Sequence, residues 1–529
     1  MRRFHSYGPV DCEEHFCVPR PELRRQCLEQ LVGHPEKGGH FFTIWAPRQT
    51  GKTWLMERVG ESICEAHGNR LQVGVMSMQG IILGENDSAE AFFRQTPRLF
   101  LEAFGMERET PQTWEDWIAP FSAHNGLFKK PVILFIDEFD ALPAVIIDTL
   151  VALFRNMYLK RSAYHLHGLA LVGVRAVLGV DSQRGSPFNV QRSLHVPNFS
   201  REEVKALFDQ YQTESDQGIE PEVVNRLFDA TRGQPGLVCW MGELLTETYN
   251  PGMDRTIGVE DWKLVYHKAC FAEWNNTILN LVKKAQSRYP DYVVRLFADA
   301  DVEFRLDAEW CAYLYLNGII DRETRREQSG EYREICRFSS PFVQRRLYNA
   351  LTHDVVGDQL PILALEPLDD LADVFSGTSL NVPALLERYR DYLHRLRAKG
   401  LNPWREQPRR ADLRLTEAVG HFHLYAWLLQ AVGRQCAVIP EFPTGNGRVD
   451  IRLRSGNQEA ILEIKSFLDW NELRRSRRQA AAYARQMEME GVTLAVFVAS
   501  KDPHVLETLS TTETLDGVTV TTVAIGGFD

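Results

Sequence analysis

The chain has 529 residues, of which 44% are hydrophobic and 25% are charged. This composition is ordinary for a globular protein, and the length is too great for one hydrophobic core, so we expect three or four domains. The formal net charge of −11 excludes a global basic field for nucleic acid, and any such binding would depend on local patches. Two runs are candidates, although such runs are more often solvated faces: residues 381–420, with nine Lys/Arg against five Asp/Glu, and Arg474-Arg475-Ser476-Arg477-Arg478.

The cysteines and the apolar windows bear on the compartment. Nine cysteines are scattered without CxxC spacing, which favours a reducing compartment and predicts neither a disulfide framework nor a structural zinc site. The first six residues have no apolar stretch behind their charges, so we predict no signal peptide. The apolar window 131–153 is interrupted by four acidic residues, so we expect no transmembrane helix. These features predict a cytoplasmic protein without a membrane partner.

From residue 40 onward, short apolar strands alternate with helices. We predict strands over residues 41–45, 71–76, 132–136 and 169–174, with a helix over 53–67 after the first strand. Strands that alternate with helices form a parallel sheet with right-handed crossovers. The pattern predicts an α/β nucleotide-binding core of about 150 residues.

Helices replace strands after about residue 197. Ser200 is a predicted N-cap, and Glu203 would complete its capping box. Further helices over 221–231 and 237–249 would form a helical lid behind the core. Beyond them, a winged-helix hairpin and its neighbouring helix are suggested by residues 314–320, a charged turn over 321–331, residues 335–340 and a helix over 341–351.

The C-terminal third has a connector and a second α/β pattern. Residues 355–410 carry five prolines between helical stretches. An amphipathic helix is predicted over 411–433. A hairpin over 448–467, a helix over 471–490 and strands over 493–499 and 518–525 follow it.

A phosphate-binding loop follows the first strand. Its residues are Ala46-Pro47-Arg48-Gln49-Thr50-Gly51-Lys52-Thr53, the GxxxxGK[ST] pattern with Ala46 in place of the first glycine. Backbone N–H groups of such a loop wrap the β-phosphate at a helix N-terminus. Lys52 would reach the β- and γ-phosphates of ATP, and the Thr53 hydroxyl would ligate Mg²⁺.

Two carboxylates complete this predicted ATP site. Asp137 ends a buried strand, where it can hold Mg²⁺ through water, and Glu138 is placed to polarise the attacking water. We expect Asp140 to cap or pair locally. The γ-phosphate also needs a basic residue in the transition state. Arg155, Arg161 and Arg175 are candidates, and Arg175 follows a strand at a usual place for a residue that senses the γ-phosphate; the subunit that supplies this arginine is left open.

A second constellation lies in the C-terminal hairpin. Asp450 is on the first strand, and Glu463 and Lys465 are on one face of the second, with Ile464 buried behind. The two carboxylates and the Ile464 carbonyl would bind Mg²⁺ or Mn²⁺. Lys465 would orient the attacking water or stabilise the transition state of a phosphodiester.

Acidic and basic residues such as Asp450, Glu463 and Lys465 are common on exposed strands, so the prediction of a nuclease site also depends on the residues around them. Glu417 in the preceding helix could supply a third carboxylate, as could Glu441. Gly445-Asn446-Gly447 gives a tight entry to Asp450. On the following helix, Gln479, with Tyr483 four residues on, could steer the substrate phosphate.

These motifs resemble two known families. The N-terminal part resembles bacterial AAA-like ATPases, which are often grouped with signal-transduction-type and archaeal-type P-loop NTPases. The resemblance is carried by Tyr7-Gly8-Pro9-Val10, the Val-Pro-Arg-Pro-Glu-Leu run at 18–23 and the loop 46–53. Residues 186–189, 199–204 and Gly233-Gln234-Pro235 resemble the post-core and lid motifs of that group. Residues 417–479 are similar to the PD-(D/E)xK nuclease superfamily, in the branch fused to such ATPases, with Arg448-Val449-Asp450 in place of the proline-aspartate element.

The resemblance implies a multidomain α/β protein. Its expected domains are a three-layer α/β/α P-loop ATPase core (1–197), a helical lid (198–250), a winged-helix-like module (251–354), a helical connector (355–410) and a restriction-endonuclease-like domain (411–529).

The leading hypothesis is an ATPase that gates a metal-dependent nuclease acting on DNA, with defence against foreign DNA as a role suggested by analogy. A DNA-repair nuclease that moves on its substrate is less favoured, because no helicase motifs accompany the loop. The alternative class is a switch whose nuclease-like domain only binds nucleic acid or a partner. A homo-oligomer or partner assembly is expected because many AAA-type sites borrow an arginine from a neighbour.

Overall fold

A computed structural model describes residues 1–34, 37–84, 87–173, 193–298, 301–327, 330–356, 363–366, 369–375, 380–404, 407, 417–440, 451–467 and 469–527. The chain forms two compact units. Unit 1 comprises Met1–Leu281, Arg305–Asp321 and Phe338–Val343, and unit 2 comprises Val282–Phe304, Arg322–Arg337 and Gln344–Asp529.

Before residue 300, the helices are α1 (Pro21–Val32), α2 (Lys52–His67), α3 (Ala89–Phe93), α4 (Thr96–Phe104), α5 (Trp114–Ile118), α6 (Ala144–Leu159), α7 (Arg201–Ser215), α8 (Pro221–Thr231), α9 (Pro235–Glu243), α10 (Val259–Phe271), α11 (Asn276–Ser287) and α12 (Pro290–Ala298). The strands of this part are β1 (Phe41–Trp45), β2 (Gln72–Ser77), β3 (Val132–Asp137), β4 (Leu166–Gly173) and β5 (Ser193–His195).

After residue 300, the helices are α13 (Glu309–Leu316), α14 (Pro341–Val356), α15 (Ala372–Phe375), α16 (Val382–Ala398), α17 (Glu417–Val432), α18 (Trp470–Gln486) and α19 (Pro503–Leu509). The strands are β6 (Ile320–Arg326), β7 (Tyr332–Phe338), β8 (Ala437–Pro440), β9 (Ile451–Ser455), β10 (Gln458–Ser466), β11 (Gly491–Val498), β12 (Thr511–Leu515) and β13 (Val518–Gly526).

The first sheet is the predicted parallel core. Its strand order is β2-β3-β4-β1-β5, and its pairings are all parallel. Because parallel strands end at the same edge, the loop after β1 and the carboxylates after β3 lie at one edge of the sheet. The predicted strands 41–45 and 132–136 agree with β1 and β3 to within one residue.

Helices cover both faces of this sheet. Leu134 and Ile136 of β3 pack in one cluster with residues of α3 to α6, whereas Ile133 and Phe135 pack in a second cluster with α1 and α2. Side chains alternate along a strand, so one strand supplies both hydrophobic layers. The core therefore has three layers.

The lid helices begin as predicted. The Ser200 hydroxyl accepts the Glu203 N–H, and the Glu203 carboxylate accepts the Ser200 N–H, which completes the capping box at α7. α8 has the predicted bounds. The third predicted helix, 237–249, is divided into α9 and a π-helical turn, Leu244–Thr248.

The charged turn predicted over 321–331 is wrong. Most of it is β6, which pairs with β7 as a two-stranded ribbon, and residues 314–316 belong to α13. The side chains of β6 after Ile320 are exposed or partly exposed, so charged residues are compatible with strand structure. Cross-strand pairs stabilise it: Arg337 Nε lies 2.6 Å from Glu323, and the Thr324 hydroxyl lies 2.7 Å from Glu334.

The second sheet, in unit 2, is mixed. Its order is β12-β13-β11-β10-β9-β8. The strands β8, β9 and β10 form an antiparallel meander, α18 crosses over, and β11 returns parallel to β10. Of the hairpin predicted over 448–467, the described part is β9 and β10, and Gly456 in the turn between them has a φ of 58°. Of the helix predicted over 411–433, the described part is α17.

One covalent link was not anticipated. A disulfide joins Cys12 and Cys17, whose Cα atoms are 5.5 Å apart, although the scattered cysteine spacing predicted no such bond. A turn between the two residues, followed by the isolated bridge between Arg3 and His15, brings them together.

No helix among the described residues is long and apolar enough to cross a membrane.

Candidate functional site

The loop after β1 is held closed by its own side chains. Gln49 and Gly51 have positive φ values of 57° and 86°, which turn the backbone toward the start of α2. The Lys52 ammonium donates to the carbonyls of Ala46 and Pro47 at 2.9 and 2.7 Å. The Thr50 hydroxyl donates to the Pro47 carbonyl at 2.9 Å. This cradle is preformed, and phosphate oxygens would replace the loop carbonyls as partners of Lys52.

The carboxylates of β3 face this loop. The Thr53 hydroxyl donates to Asp137 Oδ2 at 3.0 Å, and Asp137 Oδ1 accepts the Glu138 N–H at 2.9 Å. Glu138 has a φ of 52° and an exposed side chain. The left-handed backbone at Glu138 therefore turns its carboxylate away from the strand while Asp137 stays 9% exposed beside Thr53.

Burial and nearby charges set the protonation of Lys52. Burial lowers the pKa of Lys52 to about 8, against the opposing effects of Asp140, Asp137 and Glu138. Asp140 is the largest of these acidic influences. A Cβ added to Gly173 would lie 2.5 Å from the Asp140 carboxylate, so Asp140 lies close to the end of β4. The sequence analysis gave Asp140 only a local role and missed this charge.

The lid touches the loop directly. Gln234 Nε2 donates to the Arg48 carbonyl at 2.9 Å, and the Gly236 N–H donates to the Gln49 carbonyl at 2.9 Å. The Gln49 side chain in turn donates to the Ser6 carbonyl at 2.9 Å. Gln49 therefore connects the loop with both the lid and the N-terminal segment. Gly233-Gln234-Pro235 had been noted as a lid motif, but its contact partners had not been identified.

The arginine candidates separate in the structure. Arg161 donates to the carbonyls of Lys37 and Gly39 at 2.7 and 2.6 Å. These residues precede β1, at the end of the strand opposite the loop. Arg161 therefore anchors the chain and does not reach the phosphates of this site. Its predicted role as the arginine that neutralises the γ-phosphate is wrong for this site. Arg155 is partly exposed on α6, and Arg175 lies outside the described residues.

Comparison with known proteins agrees with this geometry. Residues 5–249 match the family described as AAA-like domain. This segment is an AAA-like ATPase domain. The family implies nucleotide and Mg²⁺, and the residues fit both. Lys52 and the loop amides suit phosphates, while Thr53 and Asp137 offer oxygen ligands to a hard cation.

Solved structures show distant likeness. The Walker-type ATPase PABY2304 of Pyrococcus abyssi is 16% identical, with 65% of this chain and 99% of that chain covered and a TM-score of 0.42. The ORC1 protein of Aeropyrum pernix, solved in complex with DNA, is 12% identical over 64% and 93% of the two chains, with a TM-score of 0.34. The RuvB branch migration motor of Thermotoga maritima is 13% identical over 58% and 90%, with a TM-score of 0.32. No curated protein sequence matches the chain.

A second polar cluster lies on β10 in unit 2. Lys465 Nζ is 3.3 Å from Glu417 Oε1 and 3.4 Å from Glu463 Oε1. The Glu463 side chain is 4% exposed, and those of Lys465 and Glu417 are 15% and 22% exposed. Ile464 is fully buried, as the alternation of the strand predicts. A carboxylate as buried as that of Glu463 needs a charged partner, and Lys465 supplies it.

A small cavity of about 70 Å³ opens beside this cluster. Glu417 and Lys465 line it together with Glu472, Leu473 and Ser476 of α18. The sequence analysis missed Glu472, whose position two residues after the start of α18 places a further carboxylate at the cavity. Gln479 is exposed on α18 and Tyr483 is partly buried, and the role predicted for Gln479 stays a prediction.

The other residues of the predicted metal site cannot be compared. Asp450, Glu441 and the 445–447 turn lie outside the described residues. Within the described part of the chain, no group of three or more His, Cys, Asp or Glu residues is placed to hold a metal ion.

Proposed function

We propose that the AAA-like domain hydrolyses ATP and thereby gates a metal-dependent nuclease in unit 2, which acts on nucleic acid and preferably on DNA. One observation carries the nuclease part of the proposal. Lys465 lies between the carboxylates of Glu417 and Glu463 at the end of a strand, beside a cavity.

In the ATPase step, each residue has a defined task. Lys52 transfers its hydrogen bonds from the Ala46 and Pro47 carbonyls to phosphate oxygens. Thr53 and Asp137 would hold Mg²⁺, which would supply positive charge against the phosphates. Glu138, exposed beside them, accepts a proton from the attacking water. Arg155 or Arg175, or an arginine from a neighbouring subunit, completes the charge neutralisation.

The strand order of unit 2 supports the nuclease proposal. A helix (α17), an antiparallel meander (β8, β9 and β10), a crossover helix (α18) and a parallel strand (β11) follow one another. The resemblance to PD-(D/E)xK nucleases implies this succession around its active site. Fold alone does not establish activity, so the side chains must carry the argument.

The pairing of β9 and β10 supports Asp450 as a further carboxylate. Ile451 is paired with Leu462. Asp450 precedes Ile451 in the sequence, and Glu463 follows Leu462.

The chemistry of this cluster suits phosphodiester hydrolysis. Carboxylates of Glu463, Glu417 and Asp450, with the Ile464 carbonyl, form an oxygen donor set for Mg²⁺ or Mn²⁺, which would lower the pKa of a bound water. Lys465, released from its carboxylates, would stabilise negative charge on the scissile phosphate. Glu441 and Gln479 are secondary candidates for the ligand set and for steering the phosphate.

A binding-only switch is the second candidate. It is favoured by the ion pairs of Lys465 with both Glu417 and Glu463, which engage the two carboxylates with a cation of the chain itself. In either case, a biological role in defence against foreign DNA rests on the family resemblance alone, and so does assembly into an oligomer.

The test is metal-dependent cleavage of plasmid and single-stranded DNA by the purified full chain, with Glu463→Gln and Asp450→Ala as variants. We expect cleavage with Mg²⁺ or Mn²⁺, loss of it in EDTA, and a loss of roughly 100-fold or more in either variant. Arg390→Gln, on the surface of α16, is the control. Absence of cleavage by the wild-type chain, with DNA still bound, would favour the binding-only switch.

A further inference from the structure

The outer face of α18 carries a line of arginines. Arg474, Arg475, Arg478 and Arg485 are exposed. The opposite face of the helix is buried and includes Leu473, Ala480, Ala481 and Ala484. These four arginines are called the α18 stripe below.

Arg477 shows by contrast what a structural arginine does on this helix. It turns inward, donates to the Thr522 hydroxyl at 3.0 Å and to the Leu509 carbonyl at 3.2 Å, and pairs with Glu513 at 3.2 Å. Among the residues that the structure describes, no member of the α18 stripe has an ion pair or a side-chain hydrogen bond. The charge of the stripe is therefore available to a ligand.

The spacing of the stripe fits a polyanion. Arg474, Arg478 and Arg485 are separated by four and seven residues, so they lie along one side of the helix. A helix rises about 1.5 Å per residue, and the line is therefore about 16 Å long. One strand of duplex DNA advances about 3.4 Å per phosphate, so the stripe matches roughly five successive phosphates.

The same helix borders the polar cluster with another of its faces. Glu472, Leu473 and Ser476 line the cavity beside Lys465 and Glu417. At 3.6 residues per turn, these cavity residues lie on the opposite side of α18 from Arg474, Arg478 and Arg485. The stripe and the cavity therefore occupy different faces of the helix. The acidic residues of the helix and its N-cap, Asp469 and Glu472, lie at the cavity end.

We propose that the α18 stripe is a backbone-binding track for a nucleic acid strand. The proposal rests on the nuclease function proposed above and names how its substrate is held. Recognition is by charge, so it is independent of base sequence and depends on salt. The net charge of −11 for the whole chain makes such a local track necessary for any polyanion to bind.

The test measures binding separately from cleavage. Fluorescence anisotropy of a labelled DNA strand and of its duplex is recorded with the full chain in EDTA, over a series of salt concentrations. The variant is Arg474→Ser/Arg478→Ser/Arg485→Ser. The matched control is Arg25→Ser/Arg98→Ser/Arg226→Ser, which removes the same charge from exposed, ion-paired arginines. Thermal unfolding checks that both variants are folded.

We expect the stripe variant to bind DNA roughly tenfold or more weakly and to show a salt slope smaller by about three. The Arg→Lys version of the same triple should restore most of the binding, because it keeps the charge. Equal affinity in stripe variant and control would overturn the proposal, as would a wild-type chain that binds no DNA or that prefers anionic lipid vesicles or an acidic polypeptide over DNA.

Failure of the α18 stripe proposal can be distinguished from failure of the nuclease proposal. DNA binding that is lost in the stripe variant, without cleavage by the wild type in any metal, would keep the track and reject the nuclease. Cleavage that is lost in Glu463→Gln but unaffected by the stripe variant at limiting DNA would reject the track and keep the nuclease.

Discussion

At the scale of single residues, Lys52 is the most informative group in unit 1. Its ammonium is partly buried among loop carbonyls and near three carboxylates, and burial lowers its pKa to about 8. Phosphates are anionic, so a bound nucleotide would raise the pKa of Lys52 again. Nucleotide binding is then coupled to proton uptake above pH 8.

This coupling predicts a pH dependence of ATP affinity. Affinity measured by calorimetry should be constant below about pH 7.5 and fall by up to about tenfold per pH unit above about pH 8, because the free protein must regain the Lys52 proton to bind. Lys52→Arg keeps its charge over this range and should lose the dependence. A wild-type affinity that is unchanged up to about pH 9.5 would contradict the assignment of Lys52 to the phosphates.

Asp137 and Glu138 are adjacent but differ in environment, so we expect substitutions at the two positions to have different effects. Glu138→Gln should bind ATP almost normally and hydrolyse it roughly 100-fold more slowly, because the exposed carboxylate is needed only to accept a proton. Asp137→Asn should weaken Mg²⁺-dependent binding itself, because Asp137 holds Thr53. Phosphate release and fluorescent-nucleotide titration measure the two effects. Normal turnover in Glu138→Gln would remove this residue from the mechanism.

At the scale of elements, the contact of α9 with the phosphate loop is the main structural coupling in the ATPase domain. The Gly236 N–H reaches the Gln49 carbonyl. A Cβ at Gly236 would lie 2.5 Å from Gln49 Oε1 and 2.6 Å from Gln49 Cβ. The close approach requires glycine, because Gln49 is held at a positive φ and by Ser6.

Gly236→Ala should therefore push the lid away from the loop. We expect a loss of about 1–3 kcal/mol in the free energy of unfolding, together with weaker ATP binding. Gly60→Ala is the matched control, since a Cβ there meets its nearest atom at 3.7 Å inside α2, and it should be neutral or slightly stabilising. Thermal unfolding with and without ATP compares the two. A Gly236→Ala protein as stable as Gly60→Ala would show that the contact is dispensable.

Local pattern predicted the elements well where the strand is a short apolar run or the helix has a cap. The apolar runs of β1, β3 and β10 and the capping box at Ser200 each depend on neighbours within a few residues of the chain. The hairpin of β6 and β7 was expected, but its first strand was placed too early, because the exposed and partly exposed charged residues of β6 show no apolar period. Two short strands were missed: β8 has only four residues, and β12 has no buried residue and pairs with the neighbouring strand β13.

At the scale of the whole molecule, the motifs predicted which residues belong together but not every partner. Spacing alone brought Lys52, Thr53 and Asp137 into one site and placed Glu463 beside Lys465. Contacts between distant segments, such as Gln234 with Arg48, depend on how helices pack and leave no periodic signal. The anchoring of Arg161 by carbonyls before β1 is of the same kind. The Cys12–Cys17 bond is local, at a sequence separation of 5, but the cysteine spacing gave no framework pattern that would have indicated it.

For the molecule as a whole, we propose that the ATP site controls the polar cluster of unit 2. ATP can control a second site only if its affinity differs between two states of the protein, and we propose that the contact between lid and phosphate loop differs between those states. The claim requires that a variant of one site alter the chemistry of the other without abolishing it.

The most direct measurement is the rate of DNA cleavage with metal, with and without ATP, for the wild type, Lys52→Ala and Glu463→Gln. We predict that the wild type cleaves DNA in an ATP-dependent manner, that Lys52→Ala cleaves at a rate independent of ATP, and that Glu463→Gln does not cleave. Cleavage by Glu463→Gln at the wild-type rate, or equal ATP dependence in the wild type and Lys52→Ala, would contradict the account.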